Sequence, residues 1–376
     1  MDLWPHKALA VAILLSGCQP DGGADSVRSA PADAAVPRLR VLGYAEYLPE
    51  AVIQKFEHEN GCDIEYLELK NSDDLLGRMK SEPHHYDVVI WSDVDVAELN
   101  QAGVISQLDA ARLKGLENLE TESPAAAGTA SAGRHSLPYC WGGLVVAYLK
   151  DRIPNPEPST KLLFSPPAGS RVLMLEDMIE SFLMAGLHGK NSATPFSEPA
   201  LQAGTELLRL QARDAQVHYG NDGDMLRGMV REEYTVALAY SGDAEVVAQQ
   251  NPNVGYFVPQ EGTVIWQDEV AISRDAPQPE LSYQFLNFIL RPEIMAEISN
   301  TVRYPNRNRA STPLLDPDLV ANEALCPPPE IQAISARMRP LEPEESMRMA
   351  TYSRMVRLGR TETASAQTPK SSPAAP

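Results

Sequence analysis

Hydrophobic and polar positions repeat with two different periods along the chain from Arg38 onward. "LRVLGYAEYL" begins as a strand, and "PEAVIQKFEHENG" has the period of an amphipathic helix, with Pro49 near its start and Gly61 at its end. "CDIEYLEL" and "YDVVIWS" read as further strands, each followed by a helical pattern, "NSDDLLGRMKSE" and "VDVAELNQAGVI". This alternation predicts a mostly parallel sheet with helices on both faces.

The second half of the chain continues in the same way. "HSLPYCWGGLVVAYLKD" restarts strand structure, "RVLMLEDMIESFLMAGLHG" and "SEPALQAGTELLRLQAR" each contain a helix, and "TVALAYSGDAEVVAQQNP" reads as strand, glycine turn and helix. "PELSYQFLNFILRPEIMAEISNTV" predicts two helices that break before Pro292. The 376 residues are enough for two globular domains. We expect the low-complexity segment 361–376 to be disordered.

One predicted strand carries an unusual pair of side chains. In "GTVIWQDEVAI", Val264, Trp266 and Asp268 are two residues apart and therefore lie on one face. An apolar strand face is an unfavourable place for a carboxylate. Either the Trp and Asp face a ligand, or the Trp belongs to the core and the Asp caps a turn.

The N-terminus has the pattern of an export signal. After Lys7, "ALAVAILLSGC" is apolar, too short to span a bilayer, and ends in small residues before Cys18. Residues 1–18 resemble a bacterial lipoprotein signal with the lipobox Leu15-Ser16-Gly17-Cys18; an ordinary signal peptide is the alternative. The resemblance implies lipidation of Cys18 and a membrane anchor in the periplasm. In such lipoproteins an Asp at position 19 causes retention at the inner membrane. Because this chain has Gln19, the sequence permits an anchor in the outer membrane. Residues 19–37 are rich in Pro, Gly, Ala and Asp and have no periodicity, which predicts a flexible tether.

Charge and cysteine content narrow the functional classes. The chain has 51 Asp and Glu against 32 Lys and Arg, a formal net charge of −19, which argues against a nucleic-acid-binding protein. Beyond Cys18, the cysteines are Cys62, Cys140 and Cys326, with no metal-ligand spacing. They form at most one disulfide, or all three are buried apolar side chains.

Successive blocks of the sequence resemble the periplasmic solute-binding proteins of polyamine (spermidine/putrescine) ABC transporters. In order, the blocks are "YAEYLPEAVIQKFEHENG", "YDVVIWSD", "HSLPYCWGG", "LEDMIESFLMA", "LAYSGDAEVV", "EGTVIWQDEVAI", "YQFLNFILRPEIMAEI" and "YPNRN". The resemblance implies an α/β, two-lobed periplasmic-binding-protein fold of type II, with the ligand in a cleft between the lobes. We place the first lobe at 38–147 plus 269–303 and the second at 148–268 plus 304–360.

In this family, carboxylates hold the ammonium groups of the ligand and aromatic rings contact its methylenes, as a flexible cationic rod requires. Trp266 and Asp268 match the family's W-x-D pair. The ligand site that the resemblance implies consists of Tyr44, Glu46, Tyr47, Ser92, Asp177, Glu180, Tyr240, Asp243, Trp266, Asp268 and Tyr304. Tyr44 and Ala45 depart from the family's W-[T/S] pattern, and Val94 stands where an aromatic is common. The preferred amine, spermidine, putrescine or another, therefore stays open.

Four of these residues also have a structural explanation. Asp243 follows a glycine at a helix start, where Asp is a common N-cap, and capping is compatible with ligand binding. Ser92 is placed to cap the helix that follows it. Asp177 and Glu180, three residues apart on one helix face, are acids near a helix N-terminus, which the helix dipole favours.

Enzyme motifs are missing from the sequence. There is no G-x-S-x-G, no glycine-rich phosphate loop and no H-E-x-x-H. We therefore predict a binding protein without catalysis, cofactor or metal. The expected function is delivery of a linear polyamine to an ABC permease; the alternative is a protein that reports ligand state to a membrane signalling receptor. We expect a monomer.

Overall fold

The computed structural model describes residues 36–45, 47–69, 75–120, 133–190 and 194–367. The predicted signal, its lipidation site Cys18, the tether up to residue 35, and Glu46 lie outside the described residues. The strands are β1 (Arg38–Gly43), β2 (Asp63–Glu68), β3 (Val88–Ser92), β4 (Ser136–Leu149), β5 (Arg171–Leu175), β6 (Gln216–Gly220), β7 (Val236–Tyr240), β8 (Val254–Phe257), β9 (Val264–Ile272) and β10 (Ala336–Arg337).

Helices connect most of these strands. They are α1 (Glu50–Asn60), α2 (Leu75–Ser81), α3 (Asp93–Gln101), α4 (Lys161–Phe164), α5 (Met178–His188), α6 (Glu198–Asp214), α7 (Asp222–Val230), α8 (Ser241–Gln250), α9 (Pro279–Ile289), α10 (Pro292–Val302), α11 (Pro317–Ala321), α12 (Pro329–Ile334) and α13 (Pro343–Gln367). Short 3₁₀ helices lie at Ala110–Arg112, Leu116–Asn118 and Arg309–Leu314.

The strands form one curled array in the order β2-β1-β3-β9-β4-β7-β5-β6, with β10 beside β9 and β8 beside β4. β1, β2 and β3 are parallel to one another, and so are β5, β6 and β7. β9 runs antiparallel to both β3 and β4. The predicted parallel strands are therefore present, and the two antiparallel strands β4 and β9 connect them.

The long strand β4 divides the array into two groups. Ser136–Gly143 pair with β9, which in turn pairs with β3. From Leu144 onward β4 pairs with β7 and β8 instead. We call β1, β2, β3 and β9 with the first part of β4 the first lobe, and β5 to β8 with the second part of β4 the second lobe.

Each lobe has a core on both faces of its strands. In β3, Val88 and Ile90 enter one hydrophobic cluster, whereas Val89 and Trp91 enter another. β7 does the same, with Val236 and Leu238 on one side and Ala237 and Ala239 on the other. Alternate residues of a strand point to opposite faces, so both faces of each lobe's sheet are covered.

The lobes exchange chain at points that differ from the predicted boundaries. β4 changes partner at Leu144, before the boundary expected after Ala147. The segment directly after Arg303, expected in the second lobe, lies in the first: the Trp141 amide donates to the Pro305 carbonyl at 2.9 Å. Ala336, Met349 and Tyr352 pack in a cluster of the second lobe, as expected. Both differences depend on which distant segments pair with β4. The local hydrophobic pattern carries no information about those pairing partners.

The predicted helix ends at Gly61 and Pro292 are confirmed. Gly61 ends α1 in the left-handed conformation, with φ 60°, and donates to the Glu57 carbonyl. α10 begins at Pro292, where the missing amide hydrogen costs no helical bond. At the C-terminus α13 continues through Gln367, so residues 361–367 are helical where disorder was expected. The rest of that segment, 368–376, lies outside the described residues.

Two further features bear on the sequence predictions. Within the described ranges, no helix combines the length and the apolar character that crossing a membrane requires. Cys62 and Cys140 are buried and Cys326 is partly exposed, and all three are free thiols.

Candidate functional site

Five aromatic side chains from the two lobes form a continuous row. In spatial order they are Tyr44, Tyr47, Tyr304, Trp266 and Tyr240. Consecutive ring centroids are 5.8, 6.5, 4.8 and 5.9 Å apart, and every pair meets nearly edge to face. This is the arrangement that aromatic quadrupoles favour. All five were predicted for the site, and we call them the aromatic row.

Three tyrosine hydroxyls of the row each donate a hydrogen bond to one predicted carboxylate: Tyr47 to Asp268 Oδ2 at 2.5 Å, Tyr304 to Asp243 Oδ1 at 3.4 Å, and Tyr240 to Glu180 Oε1. The carboxylates thus follow the row in the order Asp268, Asp243, Glu180. A phenol is a neutral donor, so it orients a carboxylate without neutralising the negative charge.

Asp268 is a buried carboxylate with a raised pKa. It is 6% exposed, and its pKa is raised to about 7, chiefly by burial and also by the charges of Asp95 and Glu269, against the lowering effect of the Tyr47 hydrogen bond. Among the described residues, no Lys or Arg forms an ion pair with Asp268. A buried carboxylate without a cation is unfavourable, so a cation that reaches it is strongly stabilised.

Two acids missed by the sequence prediction extend this corner of the site. Asp93 and Asp95 occupy the first turn of α3, directly after the end of β3. Burial raises the pKa of Asp93 to about 8, with further contributions from Glu269 and Asp268. Asp93 Oδ1 is buried and has no hydrogen-bond partner among the described residues. The signal was visible in "WSDVD", where two acids closely follow a predicted site serine.

Glu269, the neighbour of Asp268 on β9, is held differently. The Ser136 hydroxyl donates to its Oε2, and the Gln267 amide donates to its Oε1 at 2.9 Å. Burial raises the pKa of Glu269 as well. Both of its oxygens are engaged by protein donors, so Glu269 acts as part of the supporting framework.

Glycine lets the Trp266 ring lie directly against the backbone of β4. A Cβ placed on Gly142 would be 2.6 Å from Trp266 Cζ2 and 3.2 Å from Ser241 Oγ. Trp266 Nε1 and Ser241 Oγ are buried, and neither has a hydrogen-bond partner in the part of the chain that the structure describes. The Trp266 ring of the aromatic row therefore packs directly on the β4 backbone at Gly142.

The remaining predicted residues have varied positions. Ser92 lies opposite Asp268 in the strand register and caps α3, accepting from the Asp95 amide at 3.1 Å. Tyr44 stacks on Trp91 with centroids 4.0 Å apart. Asp177 is exposed and caps α5, its Oδ1 accepting from the Ile179 amide at 2.9 Å. Asp177 therefore lies at the helix N-terminus, where its structural explanation places an acid. Glu46 lies outside the described residues.

The start of α8 differs in detail from the expected cap. Tyr240 is the N-cap residue and Asp243 lies within the first turn, so Gly242 is helical and does not form a turn. Asp243 is favourably placed toward the positive end of the helix dipole. Its hydrogen bond from the tyrosine of the row is compatible with that position.

This geometry suits binding of an elongated cation. Three carboxylates spaced along a row of rings offer charge at intervals and apolar surface between. No group of three or more His, Cys, Asp or Glu side chains in the described ranges is arranged to hold a metal ion. The arrangement thus combines anions with aromatic rings along one line.

Comparisons with known proteins agree with this geometry. A family model described as bacterial extracellular solute-binding protein matches residues 51–327. The chain is 29% identical over 310 residues to the putrescine-binding periplasmic protein SpuD of Pseudomonas aeruginosa, covering 78% of this chain and 84% of that protein. It is 26% identical over 341 residues to the spermidine/putrescine-binding periplasmic protein of Salmonella typhimurium, covering 89% and 92%.

A solved structure shows the same fold. The spermidine/putrescine ABC transporter substrate-binding protein PotD from Streptococcus pneumoniae superposes with a TM-score of 0.77 at 19% identity, covering 86% of this chain and 99% of that chain. The α/β, two-lobed fold predicted from the sequence is confirmed by this likeness.

Proposed function

Because this chain belongs to the bacterial extracellular solute-binding proteins, we propose that it binds a linear polyamine along the aromatic row and delivers it to an ABC permease for uptake. The names of the relatives, putrescine-binding and spermidine/putrescine-binding periplasmic proteins, support this ligand class. The protein releases its ligand chemically unchanged.

One observation carries the proposal. Asp268, Asp243 and Glu180 each accept a hydrogen bond from a different tyrosine of a single row of rings. A polyamine has the complementary pattern, with ammonium groups separated by apolar methylenes. A neutral sugar would leave these carboxylates uncompensated, and an anion would be repelled by them.

The energy available is sufficient. Micromolar binding requires about −8 kcal/mol, and hydrogen bonds to charged groups contribute about 1.5–3 kcal/mol each. Three such contacts supply about 4.5–9 kcal/mol, and burial of methylenes against the rings adds about 0.8 kcal/mol for each CH₂ removed from water.

The site of action is the periplasm, where the protein is tethered as a monomer through a lipid on Cys18. Support comes from the lipobox-like sequence and from the periplasmic relatives. Mass spectrometry of the mature N-terminus tests the anchor: Cys18 is expected as the first residue, carrying a lipid. A mature protein that begins at another residue, or with an unmodified Cys18, would exclude attachment through Cys18.

Isothermal titration calorimetry of residues 38–376 tests the ligand class. The panel contains putrescine, cadaverine, spermidine and spermine, with glucose as the neutral control and glutamate as the anionic one. We expect micromolar or tighter binding of at least one amine, and recovery of the same amine by NMR afterwards. Preference for glucose or glutamate over every amine would refute the proposal.

A further inference from the structure

The Tyr304 ring lies directly against the first turn of α8. A Cβ placed on Gly242 would be 2.5 Å from Tyr304 Cζ, 2.7 Å from Cε1 and 2.9 Å from Cε2. Three ring atoms at these distances mean that the ring covers the Gly242 Cα. No larger residue fits at position 242 unless the ring or the start of the helix moves.

Tyr304 has little freedom to retreat. Its ring is 8% exposed and meets Trp266 edge to face at 4.8 Å, while its hydroxyl lies 3.4 Å from Asp243 Oδ1. The next residue, Pro305, accepts a hydrogen bond from the Trp141 amide of β4 at 2.9 Å. A methyl group on residue 242 would therefore displace parts of the ligand site itself.

The backbone does not need glycine at position 242. Gly242 is the second residue of α8, and it is not among the glycines with positive φ. Alanine has the higher helix propensity at such a position. The close approach of the ring is consequently the feature that requires a residue without a side chain.

This approach also joins the two lobes. Tyr304 packs in the hydrophobic cluster of the first lobe, whereas α8 follows β7 of the second. We propose that Gly242 is a positioning residue of the ligand site: by admitting the Tyr304 ring, it sets the distance between Asp243 on the second lobe and the aromatic row. The inference rests on the proposed function.

A matched pair of variants tests this role. Gly223 is likewise the second residue of its helix, α7, but a Cβ there would meet chiefly Arg227 Nη1, the far end of a flexible side chain, at 2.9 Å. We expect Gly242→Ala to weaken binding of putrescine and spermidine by about tenfold or more. Gly223→Ala should bind within about twofold of wild type. Circular dichroism checks that both variants are folded.

A double-mutant cycle separates positioning from a general structural effect. Tyr304→Ala removes the ring that residue 242 would strike. In that background, Gly242→Ala should change the affinity by less than about twofold, because the obstruction is gone. A general defect of α8 would instead persist with or without the ring.

The outcomes distinguish this inference from the proposed function. A wild-type protein that binds no amine would refute both. If wild type binds and Gly242→Ala binds equally well, the positioning role alone is refuted. The same conclusion follows if the loss in Gly242→Ala is undiminished in the Tyr304→Ala background.

Discussion

Replacing Asp268 by Asn removes a charge from the aromatic row while keeping the shape of the side chain. An amide oxygen still accepts the hydrogen bond that the Tyr47 hydroxyl donates. At pH 8, above the Asp268 pKa of about 7, the wild-type carboxyl is mostly ionised, so the variant differs mainly in charge. A buried cation left without its partner costs about 3–5 kcal/mol. We therefore expect an amine to bind about two to four orders of magnitude more weakly.

Glu269→Gln provides the control for this experiment. It removes a charge at the next position of β9, which is also buried, but from a carboxylate already engaged by Ser136 and Gln267. The affinities of putrescine and spermidine are measured by calorimetry at pH 8, after thermal melts have shown both variants to be folded. Glu269→Gln should lose less than about tenfold.

A specific result would contradict this reasoning. If Asp268→Asn binds the best amine within about threefold of wild type, the ligand does not pair with this carboxylate. A larger loss in Glu269→Gln than in Asp268→Asn would likewise show that the wrong acid has been assigned.

Burial raises the pKa of Asp268 to about 7 and that of Asp93 to about 8, so the native carboxyls hold protons that the unfolded chain, with a pKa of 3.8, has released. The free energy of unfolding without ligand, measured by urea melts, should therefore fall as pH rises from about 4 to 8. Amine affinity, measured by calorimetry, should rise by up to about tenfold per pH unit between 5 and 7. If neither quantity changes with pH, the assigned pKa shifts are contradicted. Asp177→Ala should lower the free energy of unfolding by about 0.5–2 kcal/mol in urea melts through loss of the cap, yet leave amine affinity within about threefold, and a larger loss of affinity would place Asp177 in the site. In a thiol-titration time course, Cys326 should react before Cys140, which is fully buried; the reverse order would contradict the packing.

The elements of the fold were readable from the sequence because local patterns determine them. Strand and helix periods were clear in the sequence. The helix boundary at Pro292 was clear as well, because proline cannot continue one helix but is favourable at the start of the next. The point at which β4 changes partner was not readable, because "WGGLVV" is apolar throughout and only its neighbours differ. The contact of Pro305 with β4 was not readable either, because it joins segments that are distant along the chain.

The five rings that the structure brings together were named from the sequence, but their arrangement was not. The resemblance supplied all five rings, but the order in which Tyr304 lies between Tyr47 and Trp266 exists only in space. Asp93 was missed because a solvated acid and a buried acid look alike in a sequence. Two of the charges that raise its pKa, Asp268 and Glu269, belong to β9, which is distant along the chain.

The pairing of β3 with β9 determines when the first lobe can be completed. Val88 lies opposite Ile272, so a central strand of this lobe is absent until the chain has been made as far as β9. Contacts between segments so far apart close slowly, since a long loop must be ordered before the pairing is gained. β5 to β8 all precede β9 in the chain. The lobe that begins the protein is consequently finished only after every strand of the other lobe has been synthesised.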